Sequence, residues 1–112
     1  MNILRAIFGG VKEVTSDDYH NQFDNRPHMI LDVRNPNHFT SEHIDGAVNI
    51  PLAKLPKKLD KLPQDQPIVC ISHDGLRGRE AAFMLQKKGY EASNIMGGLL
   101  KWRVSEPTVS DN

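Results

Sequence analysis

The chain has 112 residues, with 14 Lys and Arg against 14 Asp and Glu, a formal net charge of zero, and a single cysteine. That length suits one compact domain able to bury a core without disulfide staples, and a lone cysteine makes neither an internal disulfide nor a thiol cluster for a metal. Zero net charge gives no general attraction to nucleic acid or to an anionic membrane, so any anion must be recognised locally.

In chain order, the first element is an apolar cluster at Ile3, Leu4, Ile7 and Phe8. It falls far short of the about 20 apolar residues that span a bilayer, and it lacks the longer run and cleavage site of a signal peptide. Residues 1–12 read as a short helical arm packing on the domain or on a neighbouring subunit, with weak membrane-surface contact as the alternative. A cytoplasmic, reduced location is expected, with no integral membrane segment. Residues 12–14 read as a short strand. Thr15 or Ser16 then caps a helix whose first turn holds Asp17 and Asp18, where the helix dipole favours negative charge. Tyr19 and Phe23, four apart, share a face of that helix.

Residues 28–33 form an apolar run ending in polar residues, as in a buried parallel strand. A short helix follows Pro36, and residues 46–51 give a strand stopped by Pro51. Leu52, Leu55, Leu59 and Leu62 stand three or four apart, which predicts an amphipathic helix over 53–62 with Pro56 near its start. Residues 67–71, Pro-Ile-Val-Cys-Ile, are the most apolar stretch and read as the central strand. A helix is expected over about 76–88, with Ala81, Ala82 and Leu85 as its stripe and Gly89 as its stop. A last strand over 92–96, a Gly97-Gly98 turn and a short helix over 99–103 carrying Trp102 complete the domain. Residues 13–104 thus form one unit, and 105–112 a polar tail. Such alternation implies an α/β fold with a central, mostly parallel sheet of about five strands and helices on both faces. Ligands of such sheets lie beyond the carboxyl ends of the strands, which points to the segment after Ile71.

That segment reads Ser72-His73-Asp74-Gly75-Leu76-Arg77-Gly78. It runs from a strand end into a helix start, where backbone N–H groups lack helical partners and the dipole is positive. Gly75 permits positive φ, so successive N–H groups can converge on one point as a nest for a small oxyanion, with Arg77 closing or bracing the ring. Asp74 opposes anion entry, and His73 offsets that when protonated. Many α/β folds contain such a turn, and its chemistry does not follow from the turn alone.

Four short motifs in order narrow the field: Asp32-Val33-Arg34; His43-Ile44-Asp45-Gly46-Ala47 leading to Asn49-Ile50-Pro51; the loop 72–78; and Gly97-Gly98 with Trp102. In content, order and spacing this chain resembles the rhodanese family from about Val14 to Trp102. The resemblance implies an anion-cradling active loop in which a cysteine at the first position accepts sulfur as a persulfide and passes it to a thiol or cyanide. It also implies scaffold roles for Asp32 and Arg34, as braces of the loop, and for His43.

Aligning Gly75 and Arg77 with the family loop puts Ser72 at the cysteine position and Gly78 at a position commonly serine. A hydroxyl is almost never ionised at neutral pH, whereas thiols near 8.5 are readily tuned downward, so Ser72 argues against persulfide chemistry. Cys70 lies one pleat deeper on the same strand face, about 6–7 Å back, and reads as a core thiol. Three functions follow. The chain is a silent rhodanese-like module that binds a small oxyanion, a thiosulfate-like sulfur anion or a protein. Alternatively it is a sulfurtransferase in which Ser72 replaces a native cysteine by engineering or Cys70 carries the sulfur. The third function, a phosphatase-like activity on the same fold, also needs a thiolate. No metal or organic cofactor is indicated.

Overall fold

The computed structural model describes residues 10–104; the apolar cluster at Ile3, Leu4, Ile7 and Phe8 and the polar tail 105–112 lie outside the described residues. Ten elements follow in order: β1 (Lys12–Val14), α1 (Ser16–Phe23), β2 (Met29–Asp32), α2 (Pro36–Ser41), β3 (Val48–Asn49), a 3-10 helix (Leu52–Lys61), β4 (Ile68–Ile71), α3 (Leu76–Lys87), β5 (Ala92–Ile95) and a second 3-10 turn (Gly98–Lys101). The strands form one sheet in the order β1-β5-β4-β2-β3, every pair parallel. β4 is therefore the central strand, and each of its four residues is fully buried.

Alternation along the strands divides the core into two layers. Ile68 and Cys70 of β4 face Leu31, Leu55, Ala81, Ala82 and Leu85, beneath α3 and the first 3-10 helix. Val69 and Ile71 face Val14, Ile95 and the α1 pair Tyr19 and Phe23, whose rings stack at 5.6 Å. Helices thus cover both faces, as the alternating pattern requires. Thr15 caps α1, its Oγ1 accepting the Asp18 N–H at 3.0 Å. Ser16 instead ties down the chain after Trp102, exchanging hydrogen bonds with the Arg103 backbone.

Three elements differ from expectation. Residues 52–61 wind as a 3-10 helix rather than an amphipathic α-helix over 53–62, with Pro56 in its interior. Proline there lacks a donor and clashes with the carbonyl four residues back, and the tighter winding keeps Leu55 and Leu59 buried. The expected helix 99–103 is a single 3-10 turn over Gly98–Lys101, ended by a Trp102 N–H bond to the Leu99 carbonyl, and Trp102 lies just beyond it. The expected strand 46–51 pairs only at Val48–Asn49, because Gly46 turns the chain at φ 84° immediately before it.

The strand order positions the site. From β2 the chain moves outward to β3, and from β4 it moves the opposite way to β5. The connections leave the carboxyl ends of β2 and β4 in opposite directions, and a crevice opens where such a sheet reverses order. Asp32 to Arg34 and Ser72 to Gly78 stand at that point.

Candidate functional site

The loop is built around the Ser72 hydroxyl. Ser72 is only 1% exposed, and its Oγ accepts the Gly75 and Gly78 N–H groups, each at 3.0 Å. These are two donors that a strand-to-helix turn leaves unpaired. A third, Leu76 N–H, donates to Asp74 Oδ1 at 3.1 Å. The backbone N–H groups of His73, Asp74 and Arg77 find no partner among the described residues. The N–H groups of the loop therefore fall into an inner pair, taken by the chain's own hydroxyl, and an outer set.

Close backbone approach holds this shape. Gly75 caps α3 at φ +98°, and a side chain there would come within 2.8 Å of the Gly97 nitrogen. At Gly98, φ +57°, a Cβ would overlap the Ser72 carbonyl. Leu99 N–H donates to that carbonyl at 2.8 Å, and Leu100 N–H to the His73 carbonyl at 3.1 Å. The Gly97-Gly98 turn is thus the back wall of the loop, a contact that only glycine permits.

A polar chain that the sequence reading missed braces the loop from below. Asn94 of β5 is fully buried, and its Nδ2 donates to the Gly75 carbonyl at 3.0 Å and to Glu13 Oε1 at 2.7 Å. Glu13 in turn pairs with Arg79 Nε. The bracing arginine is therefore Arg79. Arg77 is exposed and makes no hydrogen bond or ion pair among the described residues. The signal available in the sequence was an uncharged polar residue, Asn94, inside an otherwise apolar strand pattern.

Asn94 also fixes the residue at 78. A Cβ there would overlap Asn94 Oδ1 and lie 3.1 Å from Ser72 Oγ. Gly78→Ser is expected to destabilise the domain by about 1–3 kcal/mol through overpacking, despite the roughly 0.5–1 kcal/mol that glycine costs a helix interior. Urea unfolding checks this, and adding Asn94→Ala should return part of the loss.

Asp32 and Arg34 come together at the end of β2, but on each other. Asp32 is fully buried and Arg34 is 7% exposed. Arg34 Nε and Nη2 donate to both carboxylate oxygens, at 2.8–3.1 Å, and the Arg34 backbone N–H adds a fourth contact at 3.0 Å. Nη2 also reaches the Glu42 carbonyl at 2.7 Å. The pair organises the turn from β2 to α2; the link to the 72–78 loop runs through the backbone, where Val33 N–H donates to the Ile71 carbonyl at 3.1 Å. His43 stacks on Phe39 at 4.0 Å, and its Nδ1 lies 2.8 Å from the Phe39 carbonyl.

Cys70 is fully buried beneath α3, and burial pushes its thiol pKa up. A thiol in that setting stays protonated and out of reach of solutes. A pocket of about 410 Å³ opens beside Trp102, Leu99 and Ile44, but none of residues 72–78 lines it. The outer loop is instead a rim, where His73, Asp74, Leu76 and Arg77 are exposed.

Comparison with known proteins agrees with this architecture. The family model for the rhodanese-like domain matches residues 15–105. The uncharacterized protein YqhL of Bacillus subtilis is 34% identical over 93 residues, 82% of this chain and 72% of its own length. The thiosulfate sulfurtransferase GlpE of Coxiella burnetii (strain RSA 493) is 28% identical over 85 residues, covering 75% of this chain and 79% of its own. Among solved structures, reduced CoADR-RHD of Bacillus anthracis superposes with a TM-score of 0.74 at 35% identity; the match covers 85% of this chain but only 17% of that one. An all-parallel five-stranded sheet with its loop at the carboxyl end of β4, and a family match over most of its length, make this chain a member of the rhodanese-like domain family.

Proposed function

We propose that this rhodanese-like domain transfers no sulfur and acts as a binding module, receiving a small oxyanion or sulfur-containing anion at the rim of the 72–78 loop, with a protein partner docking on the same face. One observation carries the reading: the buried hydroxyl Ser72 Oγ takes the two inner N–H groups, at the position that alignment of Gly75 and Arg77 with the family loop assigns to the sulfur carrier. Oxygen there neither ionises at neutral pH nor forms an exchangeable persulfide. The outer N–H groups and the exposed Arg77 guanidinium supply donors for an oxyanion. Similarity to thiosulfate sulfurtransferases favours a thiosulfate-like anion. Leu76 and Leu100, 62% and 66% exposed, give the rim apolar surface of the kind that protein partners cover. Burial of Cys70 weighs against its serving as the carrier. A cytoplasmic setting belongs to this reading; no helix among the described residues is long and apolar enough to cross a membrane.

Calorimetry with thiosulfate and sulfate should detect binding that weakens on the order of tenfold in Arg77→Ala, since a charge-assisted bond contributes about 1.5–3 kcal/mol at best and an exposed one less. No binding by the parent chain would remove the anion from the proposal and leave the protein partner. Thiocyanate production by the unaltered chain that disappears in Cys70→Ser would overturn the silent reading in favour of the buried thiol.

A further inference from the structure

On the α1 face of the sheet stands the cleft of about 410 Å³ whose apolar wall is Ile44, Leu99 and Trp102. That volume falls within the about 300–1,000 Å³ typical of ligand sites. The three apolar residues are half-buried and pack on the core layer of Val14, Tyr19, Phe23 and Ile95, so the fold fixes the wall. Trp102 is held by the rings of Tyr19, at 5.2 Å, and His20, at 5.0 Å. Leu99 ties the cleft to the 72–78 loop, its N–H donating to the Ser72 carbonyl.

The polar groups around this wall are one-sided. Glu42 and Asp45 line the cleft and are exposed, and neither carboxylate makes a hydrogen bond or ion pair among the described residues. His43 Nδ1 lies 2.8 Å from the Phe39 carbonyl. A carbonyl only accepts, so that nitrogen carries the proton, and Nε2 of the neutral ring is left as an acceptor. His20 is engaged at both ring nitrogens, by Asp24 at 3.0 Å and by the Arg103 carbonyl at 2.7 Å, and Asp24 balances any charge it carries. No Lys or Arg lines the cleft among the described residues. Two unpaired carboxylates, an imidazole acceptor and an indole favour a cation on an apolar stem.

We propose that this cleft receives an arginine side chain from a basic segment of a partner protein. Arginine suits it better than lysine: its planar guanidinium can bond carboxylates by two N–H groups and stack on an indole, while its methylenes cover Ile44 and Leu99. The occupant extends beyond the cleft. Val104 at its edge and Leu100 beside Leu99 are 76% and 66% exposed, and they give the residues flanking that arginine apolar surface to cover. A free small cation would leave both in solvent. The chain's own Ser-Glu-Pro-Thr-Val-Ser-Asp-Asn after Val104 carries two acids and no cation, so its charge does not complement the cleft. This assignment rests on the proposed docking of a protein beside the loop, and not on what the loop itself binds.

Trp102 is the only tryptophan, so its fluorescence reports the cleft directly. Titrating the full 112-residue chain with a blocked hexapeptide of alternating leucine and arginine should give a saturable change. Glu42→Gln with Asp45→Asn should weaken binding on the order of tenfold, by removing two charge-assisted contacts at a half-open site. Asp65→Asn with Glu80→Gln removes two exposed acids outside the cleft and should leave the affinity unchanged. Both double variants should keep the parent Tm. No saturable change, or equal weakening by the two double variants, overturns the proposal. So does butylguanidinium matching the affinity of the peptide, which would make the cleft a small-cation site. A fluorescence change on concentrating the chain alone, lost in the Glu42→Gln, Asp45→Asn variant, also overturns it, because a second copy would then be the occupant. Leu100→Asp should weaken the peptide as well; binding that responds to Leu100→Asp but not to the carboxylate variant would keep the docking face and overturn the cleft.

Discussion

Ser72→Cys is expected to turn a protein with no measurable sulfur transfer into one that makes thiocyanate from thiosulfate and cyanide. The parent should match the reaction without protein, and the variant should exceed it by on the order of a hundredfold or more, the scale on which gaining or losing a nucleophile acts. The loop already supplies what a thiolate needs. Gly75 and Gly78 N–H groups point at the side-chain atom, and the start of the 12-residue α3 adds positive potential, so a thiol there should ionise well below its ordinary 8.5. The thiolate would attack the outer sulfur of thiosulfate, breaking the S–S bond and releasing sulfite. Cyanide would then take that sulfur from the persulfide, leaving as thiocyanate and returning the thiolate. The check is paired: the thiocyanate assay on parent and variant, and intact mass after thiosulfate, which should show one added sulfur in the variant only. An added sulfur on the parent chain would sink the account of Ser72. Because Ser72 is nearly inaccessible, a variant that is folded yet inactive would mean that the loop excludes the donor, and the rim would then be no anion site.

Arg34→Ala is expected to cost about 3–5 kcal/mol, the usual cost of removing one partner from a buried ion pair. Asp32 is fully buried, and the Arg34 guanidinium supplies three of its four hydrogen bonds from within this turn. Truncation leaves the carboxylate desolvated with one backbone donor, and it also frees the Glu42 carbonyl. For a domain of this size the loss corresponds to a fall in Tm of roughly 12 °C or more. Arg34→Lys should be intermediate, since a point charge cannot make the fork. The double change Asp32→Asn with Arg34→Met should recover much of the stability, because no charge is then stranded. Thermal unfolding of the three variants distinguishes these outcomes, and equal stability for Arg34→Ala and the parent would show that the pair contributes only its shape.

The two faces of the core were legible because burial imposes periods. The alternation of Ile68 and Cys70 against Val69 and Ile71, and the spacing of Ala81, Ala82 and Leu85, specify which side each element covers. The loop was legible for a similar local reason: a glycine at a strand-to-helix junction marks a turn with positive φ, a conformation few other residues adopt. Where the reading went astray, local spacing was silent or ambiguous. Leucines three and four apart fit both α and 3-10 winding, and Pro56 decided between them only when it came to lie inside the helix. Arg77 and Arg79 are indistinguishable on paper, each a cation near a helix start; a contact with Glu13, 66 residues away in sequence, selects Arg79.

Sequence alone determined the family, the sheet-and-helix order and the hydroxyl-bearing residue at position 72, because each of these is written in residue type and spacing. Only the tertiary structure decided what that oxygen does. It takes the two inner N–H groups of the loop, with Gly98 pressed against the loop from behind and Asn94 filling the space beside Gly78. Those contacts join residues from β4, α3, β5 and the final turn, and a hydrogen bond between distant segments has no period along the chain by which it can be read.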